Sequence, residues 1–135
     1  MANKYKRTLR CVAYLSCPDA NMNNAELKED KQYKEIKKYA DAHQIEIIKV
    51  KRRSILGQAE ANKHFSQMVM MIAEKKCDGI IAMGMQYIDP DIENQYKKAG
   101  AVHKAKGKMI TVEEGYLHLP LWNGYRKDGA ANVSD

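Results

Sequence analysis

Two side chains with nucleophilic atoms, Ser16 and Cys17, directly follow a short apolar segment, residues 11–15. Such a segment is typical of a buried strand, and α/β proteins place their sites at the carboxyl ends of parallel strands. A serine or cysteine becomes a nucleophile only beside a base or an activating charge, and no neighbouring residue in the sequence identifies one. A turn or cap role for Ser16 and an idle thiol at Cys17 are the simpler interpretations.

Metal ligands and nucleotide-binding loops have no recognisable pattern in this sequence. The histidines and the remaining cysteines are scattered along the chain: His43, His64, His103, His118, Cys11 and Cys77. Zinc sites use closely spaced pairs of such residues, and neither a dinucleotide-binding nor a P-loop glycine pattern occurs. We therefore expect no metal and no cofactor.

Positive charge is the remaining chemical feature, because clustered cations can bind phosphate. Lys and Arg number 23 and Asp and Glu number 17, which gives a net charge of +6. The excess is concentrated in residues 4–10, 49–53 and 97–108; a solvated, lysine-rich surface is the alternative interpretation. If DNA is bound, phosphate contacts are expected from five residues: Arg7, Arg10, Lys51, Arg52 and Arg53.

The elements that position these residues alternate between strands and helices. Apolar and β-branched segments predict strands at residues 11–15, 45–50, 80–83 and 109–112. Apolar residues at three- and four-residue steps predict helices from about residue 25 to 44, around residues 65–72, and from residue 89 to 107. Residues 51–60 are predicted to be a loop, because they contain a glycine and show no period.

The third helix carries the clearest end signals. Asp89 is its expected N-cap, Pro90 its first helical residue and Gly107 its end. Its expected apolar face is formed by four residues: Ile92, Tyr96, Ala99 and His103.

This order predicts one small three-layer α/β domain, with a mostly parallel sheet of four to five strands and helices on both faces. The length suits a single domain at residues 1–115, followed by a tail at residues 116–135. The apolar start of the tail, Tyr116–Trp122, must fold back on the domain or contact a protein partner or a second copy. No segment suits a membrane helix or a signal peptide, so we expect a cytoplasmic protein without membrane contact.

Three segments resemble the catalytic domain of serine recombinases, the resolvase and invertase family. Gln32–Ile48 is similar to the family's first helix and second strand, Val12–Leu15 to its opening strand, and Asp78–Ala82 to the strand before its Asp-Arg motif. The resemblance extends from Arg10 to about Glu114. It implies a resolvase-like fold and a relation to DNA recombination.

The family's nucleophilic serine is replaced in this sequence. In the family a serine attacks a DNA phosphodiester, and several arginines neutralise the charge of the transition state. The opening motif, Tyr-x-Arg-x-Ser, aligns with residues 14–18, so Ser16 stands in place of the arginine and Pro18 in place of the serine. Proline has no nucleophilic oxygen.

The family's other polar positions are also replaced. Its second motif, Leu-Asp-Arg-Leu-Ser-Arg, aligns with residues 85–90, where Gln86 replaces the aspartate and Tyr87 and Pro90 replace the two arginines. A further family arginine falls at about Asn62, and Gln32 is the one polar position that matches. The leading hypothesis is therefore a resolvase-like binding or assembly module without strand cleavage.

Two alternatives remain open. A two-residue slip would make Ser16 the nucleophile of an active serine recombinase, although the flanking arginines would still be missing. A flavodoxin-like domain would instead bind a small ligand or a protein at residues 16–21 and 84–87, where strands end. The family's long interface helix and its DNA-reading domain have no expected counterpart in residues 116–135, which contain Pro120 and Gly124.

Overall fold

Strands and helices alternate along the chain in the computed structural model, which describes residues 8–16, 22–53 and 56–116. The strands are β1 (Leu9–Leu15), β2 (Ile45–Arg52), β3 (Gly79–Ala82), β4 (Lys108–Thr111) and β5 (Gly115–Tyr116). The helices are α1 (Met22–Ala42), α2 (Gln58–Ala73) and α3 (Ile92–Lys104), and a short 3-10 turn covers Met85–Tyr87. The predicted α/β alternation is confirmed.

The strands form one five-stranded sheet in the order β2-β1-β3-β4-β5. β1 to β4 are parallel, and β5 pairs antiparallel with β4. The sequence predicted four to five strands but did not locate the fifth, β5, which is two residues long and follows a turn. Gly115 makes that turn possible, because its φ of +75° lies in the left-handed region that glycine adopts without strain.

Side chains alternate between two cores because successive residues of a strand point to opposite faces. On one face, Val12 and Tyr14 of β1 pack with Phe65 and Met68 of α2 and with Val102 of α3. On the other face, the three alternating residues Cys11, Ala13 and Leu15 pack with Ile36 and Ala40 of α1. Helices therefore cover both faces of the sheet, as the sequence predicts.

β2 is longer than its sequence pattern indicates. Lys51 and Arg52 were predicted to lie in a loop, but they continue the strand, and Arg52 pairs with Leu15 of β1. The register shifts by one residue after Cys11, so that Ile47 and Lys49 pair with consecutive residues of β1. This bulge breaks the alternation from which the strand was predicted. The predicted loop is also too long at its other end, since α2 begins at Gln58.

The N-cap of α3 is Asp91, so the prediction of Asp89 was wrong. The Asp91 carboxylate accepts a hydrogen bond from the Asn94 backbone N–H at 3.2 Å, whereas the Asp89 carboxylate accepts one from the Asp91 N–H at 3.0 Å. The inner face of α3 also differs from the predicted one, because Val102 and not His103 lies one turn after Ala99 on the buried side. Ala99 and Val102 are buried, while Ile92, Tyr96 and His103 are exposed.

All three helices end at a residue with left-handed backbone geometry. The residues are Gln44, Lys75 and Lys106, with φ of 61°, 64° and 70°. Gly107, predicted to end α3, comes one residue later, and its close packing explains the glycine, because a Cβ would lie 2.7 Å from Ile72 Cγ2. The three helix ends lie at the amino edge of the sheet, since each helix runs antiparallel to the strands it connects.

Gly79→Ala is expected to destabilise the fold by about 1–3 kcal/mol. A Cβ at Gly79 would lie 2.3 Å from the backbone oxygen of Lys108, so that β3 and β4 would have to separate. Gly57→Ala is the control, because a Cβ there meets nothing within 4 Å. Urea denaturation midpoints measure both variants. A loss at Gly57 equal to or larger than that at Gly79 would contradict this packing.

Asp89→Asn is expected to lower stability at pH 7 by about 1.5–3 kcal/mol. Burial disfavours the Asp89 carboxylate, but the Asp91 N–H and the ammonium of Lys98, 2.9 Å away, outweigh it and hold its pKa below the ordinary 3.8. A lowered pKa stabilises the fold above the unfolded-state value, and this stabilisation is lost as the pH falls through the folded-state value.

The difference between wild type and Asp89→Asn should therefore shrink as the pH is lowered below about 3.9. Asp41→Asn is the matched control, because Asp41 forms an exposed ion pair with Lys37 and should contribute little. Urea unfolding at a series of pH values measures the difference. A constant difference between pH 7 and pH 2.5 would show that ionisation of Asp89 is irrelevant.

Candidate functional site

Ser16 lies at the carboxyl edge of the sheet, where β1 ends, and is fully buried. The Gln32 side chain from α1 binds both of its backbone groups. Ser16 N–H donates to Gln32 Oε1 at 3.0 Å, and Gln32 Nε2 donates to Ser16 O at 2.9 Å. The amide of Gln32 thus pairs with the end of β1 as a neighbouring strand would. This gives a structural role to the one polar family position that the sequence matches.

Within residues 8–16, 22–53 and 56–116, the buried hydroxyls of Ser16 and Tyr14 have no partner with good hydrogen-bond geometry. The two hydroxyls are nevertheless close enough to interact: burial raises the pKa of Tyr14, and both the charge of Arg53 and the Ser16 hydroxyl oppose this. A described base that could deprotonate Ser16 is therefore not within hydrogen-bond distance. Cys17 and Pro18 lie outside the described residues.

Glu29 of α1 is a buried carboxylate that the sequence analysis missed. Its side chain is fully buried, and its Oε1 lies 3.5 Å from Arg52 Nη1. The other guanidinium nitrogen of Arg52 pairs with Asp30, and this hydrogen bond raises the pKa of Arg52. Glu29 is in phase with the buried residues Gln32 and Ile36, so the helical period could have identified it. The charge of Arg52 is therefore shared between two acids.

The other basic residues of β2 and the following segment are also engaged. Arg53 is 7% exposed, and its Nε donates to the backbone oxygen of Leu56 at 2.9 Å. Lys51 is partly buried and donates to Gln67 of α2 at 3.1 Å. The carboxyl edge thus carries cations that are bound to this chain's own acceptors.

The remaining positions aligned with the family's site lie along α2 and before α3. Asn62 accepts hydrogen bonds from Gln58 and from Lys98, whose ammonium also binds Asp89. The other three aligned residues carry no charge: Gln86 and Pro90 are exposed and Tyr87 is partly buried. The structure therefore brings one lysine to these positions, and that lysine is neutralised by a buried carboxylate.

Residues 84–87, proposed for a small ligand, form the turn after β3. Gly84 is buried, and a Cβ on it would lie 2.5 Å from Glu113 Oε1. Glu114 accepts hydrogen bonds from Met85 N–H at 3.1 Å and from Thr111 Oγ1 at 2.8 Å. Side chains of the β4–β5 turn therefore cover this part of the edge. Residues 17–21, the other half of that proposed site, lie outside the described residues.

Arg10 lies at the opposite, amino edge of the sheet. It is near the start of β1, about 17 Å along the strand from Leu15, the residue that pairs with Arg52. Its guanidinium lies 3.6 Å from the Asp78 carboxylate, and its side chain is 42% exposed. The residues predicted to contact phosphate therefore do not form one surface. Arg7 lies outside the described residues.

The structure also describes the cysteines Cys11 and Cys77, the distribution of metal-binding side chains, and the length and polarity of the helices. Cys11 and Cys77 are buried free cysteines, and burial raises the pKa of Cys11 to about 12, so its thiol is unreactive at neutral pH. The described residues contain no group of three metal-binding side chains. In the same part of the chain no helix is long and apolar enough to cross a membrane. Of the predicted partner segment, residues 117–122 lie outside the described residues.

Comparison with known proteins identifies the fold through structure. No protein-family model and no curated protein sequence matches the chain. The N-terminal catalytic domain of TP901-1 integrase superposes with a TM-score of 0.63 and 14% identity, over 78% of each chain. A resolvase family site-specific recombinase from Streptococcus pneumoniae superposes with a TM-score of 0.65 and 15% identity, over 79% of this chain and 74% of that one. The chain therefore has the resolvase-like α/β fold that its sequence segments predict.

Proposed function

We propose that this chain is a resolvase-like domain of a recombination system that binds DNA through its phosphates and does not cleave strands. The proposal rests on the burial of Ser16, the serine two residues before the position that aligns with the family's nucleophile. It is fully buried, and Gln32 holds both of its backbone groups. A nucleophile must reach the scissile phosphorus, and a fully buried serine has no such access.

Charge at the carboxyl edge also supports the absence of cleavage. Phosphoryl transfer needs cations aimed at the oxygens where negative charge develops. Arg52 is paired with Glu29 and Asp30, and Arg53 is buried against the Leu56 carbonyl. To stabilise a transition state, each guanidinium would have to leave a partner it already has. Within the described residues, neither an accessible hydroxyl at Ser16 nor an unengaged arginine beside it supports the alternative of an active recombinase.

DNA binding is supported by the net charge of +6 and by the kinds of protein with which the fold is shared. By their names, those relatives are an integrase and a site-specific recombinase. We expect the affinity to come from phosphate contacts, which carry no sequence information directly. Such binding is electrostatic, nearly independent of sequence, and weakened by salt.

We expect purified protein to leave supercoiled plasmid intact and to form no covalent adduct with a nicked suicide duplex. Both assays detect the serine–phosphate linkage that strand cleavage would require. An active serine recombinase is the positive control. Nicking by the wild type that is abolished in Ser16→Ala would contradict the proposal. Ser16→Ala is a usable test variant, because it removes a buried hydroxyl whose one described neighbour is the Tyr14 hydroxyl, and it keeps the backbone groups that Gln32 binds.

We expect the wild type to bind two fluorescent duplexes of unrelated sequence with equal affinity, measured by anisotropy between 50 and 300 mM salt. The logarithm of affinity should fall with the logarithm of salt concentration with a slope of about −3 to −5, as for four or five phosphate contacts. The absence of binding at 50 mM salt would contradict the DNA-binding part of the proposal and leave the cleavage result unaffected.

A further inference from the structure

We propose that the phosphate-binding surface of this domain is a basic groove at the amino edge of the sheet, opposite the edge where recombinase-like folds carry their catalytic positions. The groove runs between the ends of α2 and α3 and the start of β1, and its volume is about 670 Å³. Its cations are Arg10, Lys75, Lys104 and Lys106. The partner, a DNA duplex, is taken from the proposed function, and the location is the new element.

A second, smaller hollow extends the groove along the end of α3. Its volume is about 350 Å³, and it shares Lys104 and Lys106 with the first. Lys108 and His103 complete its polar lining. The two hollows together form a continuous surface, which we call the amino-edge groove, with five permanently charged cations.

The charge of the amino-edge groove is largely uncompensated. Among the described residues, Asp78 is the one carboxylate that lines it, and this carboxylate already accepts from the Arg10 backbone N–H at 2.8 Å and pairs with the Arg10 side chain. The four lysines are exposed, and no carboxylate of the described residues lies within ion-pair distance of them. The carboxyl edge differs, because Arg52 and Lys98 are both held there by acids.

The backbone fixes where two of these lysines lie. Lys75 and Lys106 occupy the position after the helix where glycine is favoured, with φ of 64° and 70°. Their N–H groups donate to the backbone oxygens of Ile72 and His103, three residues back, in the usual helix-ending pattern. Gln44 ends α1 with the same geometry and carries no charge, so this geometry positions the lysines beside the groove but does not explain their charge.

The shape of the groove favours a polyanion over a small ion. Its lysines are exposed, so each binds a single anion weakly and is screened by salt. α2 and α3 pack side by side on one face of the sheet, which places Lys75 and Lys106 at neighbouring helix ends. Packed helices lie about 8–10 Å apart, and duplex DNA carries one charge per about 1.7 Å of its axis. Several phosphates can therefore contact the groove at once.

The test compares three double variants that each remove two positive charges. Lys75→Gly with Lys106→Gly alters the groove, and glycine suits both backbone positions. Lys49→Gln with Lys51→Gln alters the carboxyl half of β2. Lys31→Gln with Lys34→Gln alters exposed residues of α1 and controls for net charge. The urea unfolding midpoint of the glycine variant should be no lower than that of the wild type, because glycine adopts the left-handed geometry without strain.

In the anisotropy titration, the groove variant should bind about tenfold more weakly at 50 mM salt, and its salt dependence should be shallower by about 2. The two glutamine variants should stay close to wild type. An equal effect of all three variants, or a loss of affinity confined to the Lys49 and Lys51 variant, would overturn the assignment of the amino-edge groove. The proposal that the domain binds DNA would still stand. No binding by the wild type would overturn both proposals.

Lysine acetylation, followed by mass spectrometry with and without duplex, gives an independent measurement on the wild type. Lys104 and Lys108 should be protected at least fivefold by DNA, while Lys31 and Lys34 should be modified at the same rate with and without it. Equal protection of both pairs would overturn the assignment.

Discussion

The pair of hydrogen bonds between Gln32 and Ser16 is the interaction on which the carboxyl edge depends. β1 is central, buried on both faces, and bonded to β2 and β3 on its two sides. At the end of β1, the backbone groups are still buried but no longer hydrogen-bond to a neighbouring strand. Each group left unpaired would lower the free energy of unfolding by about 1–3 kcal/mol. Gln32 satisfies the donor and the acceptor of Ser16 together. The same contact fixes α1 against the sheet, which brings Glu29 to Arg52.

The two edges of the sheet have opposite electrostatic character as a result. At the carboxyl edge, cations meet acids or carbonyls of their own chain, because α1 and the turn before α3 supply Glu29, Asp30 and Asp89. At the amino edge the helices end, and the lysines there meet helix ends and solvent. Ligands of parallel α/β sheets usually bind at the carboxyl edge. In our proposals this domain keeps that architecture but contacts its polyanion at the other edge.

The sequence predicted features that depend on local pattern and missed those that depend on topology. Strand β1 follows from its apolar segment and helix α1 from its apolar period, and it is an alignment of the sequence that places Pro18, Tyr87 and Pro90 at the family's catalytic positions. The continuation of β2 to Arg52 depends on pairing with β1 across a bulge, which leaves no alternation to detect. The groove joins Arg10 to Lys75 and Lys106, and only the crossovers of the fold bring residues so distant in sequence together.

The stability of the domain does not depend on a charged catalytic centre. Several arginines gathered around one phosphate repel one another when no substrate is bound, so such centres reduce stability for the sake of activity. Here the aligned positions Ser16, Asn62 and Tyr87 are uncharged, and Arg52 and Lys98 are each paired with acids. The two apolar cores on either face of the sheet involve none of these aligned positions. In our proposals, uncharged residues at the aligned positions therefore remove repulsion without removing packing, and exposed lysines at the amino edge carry the contact with DNA.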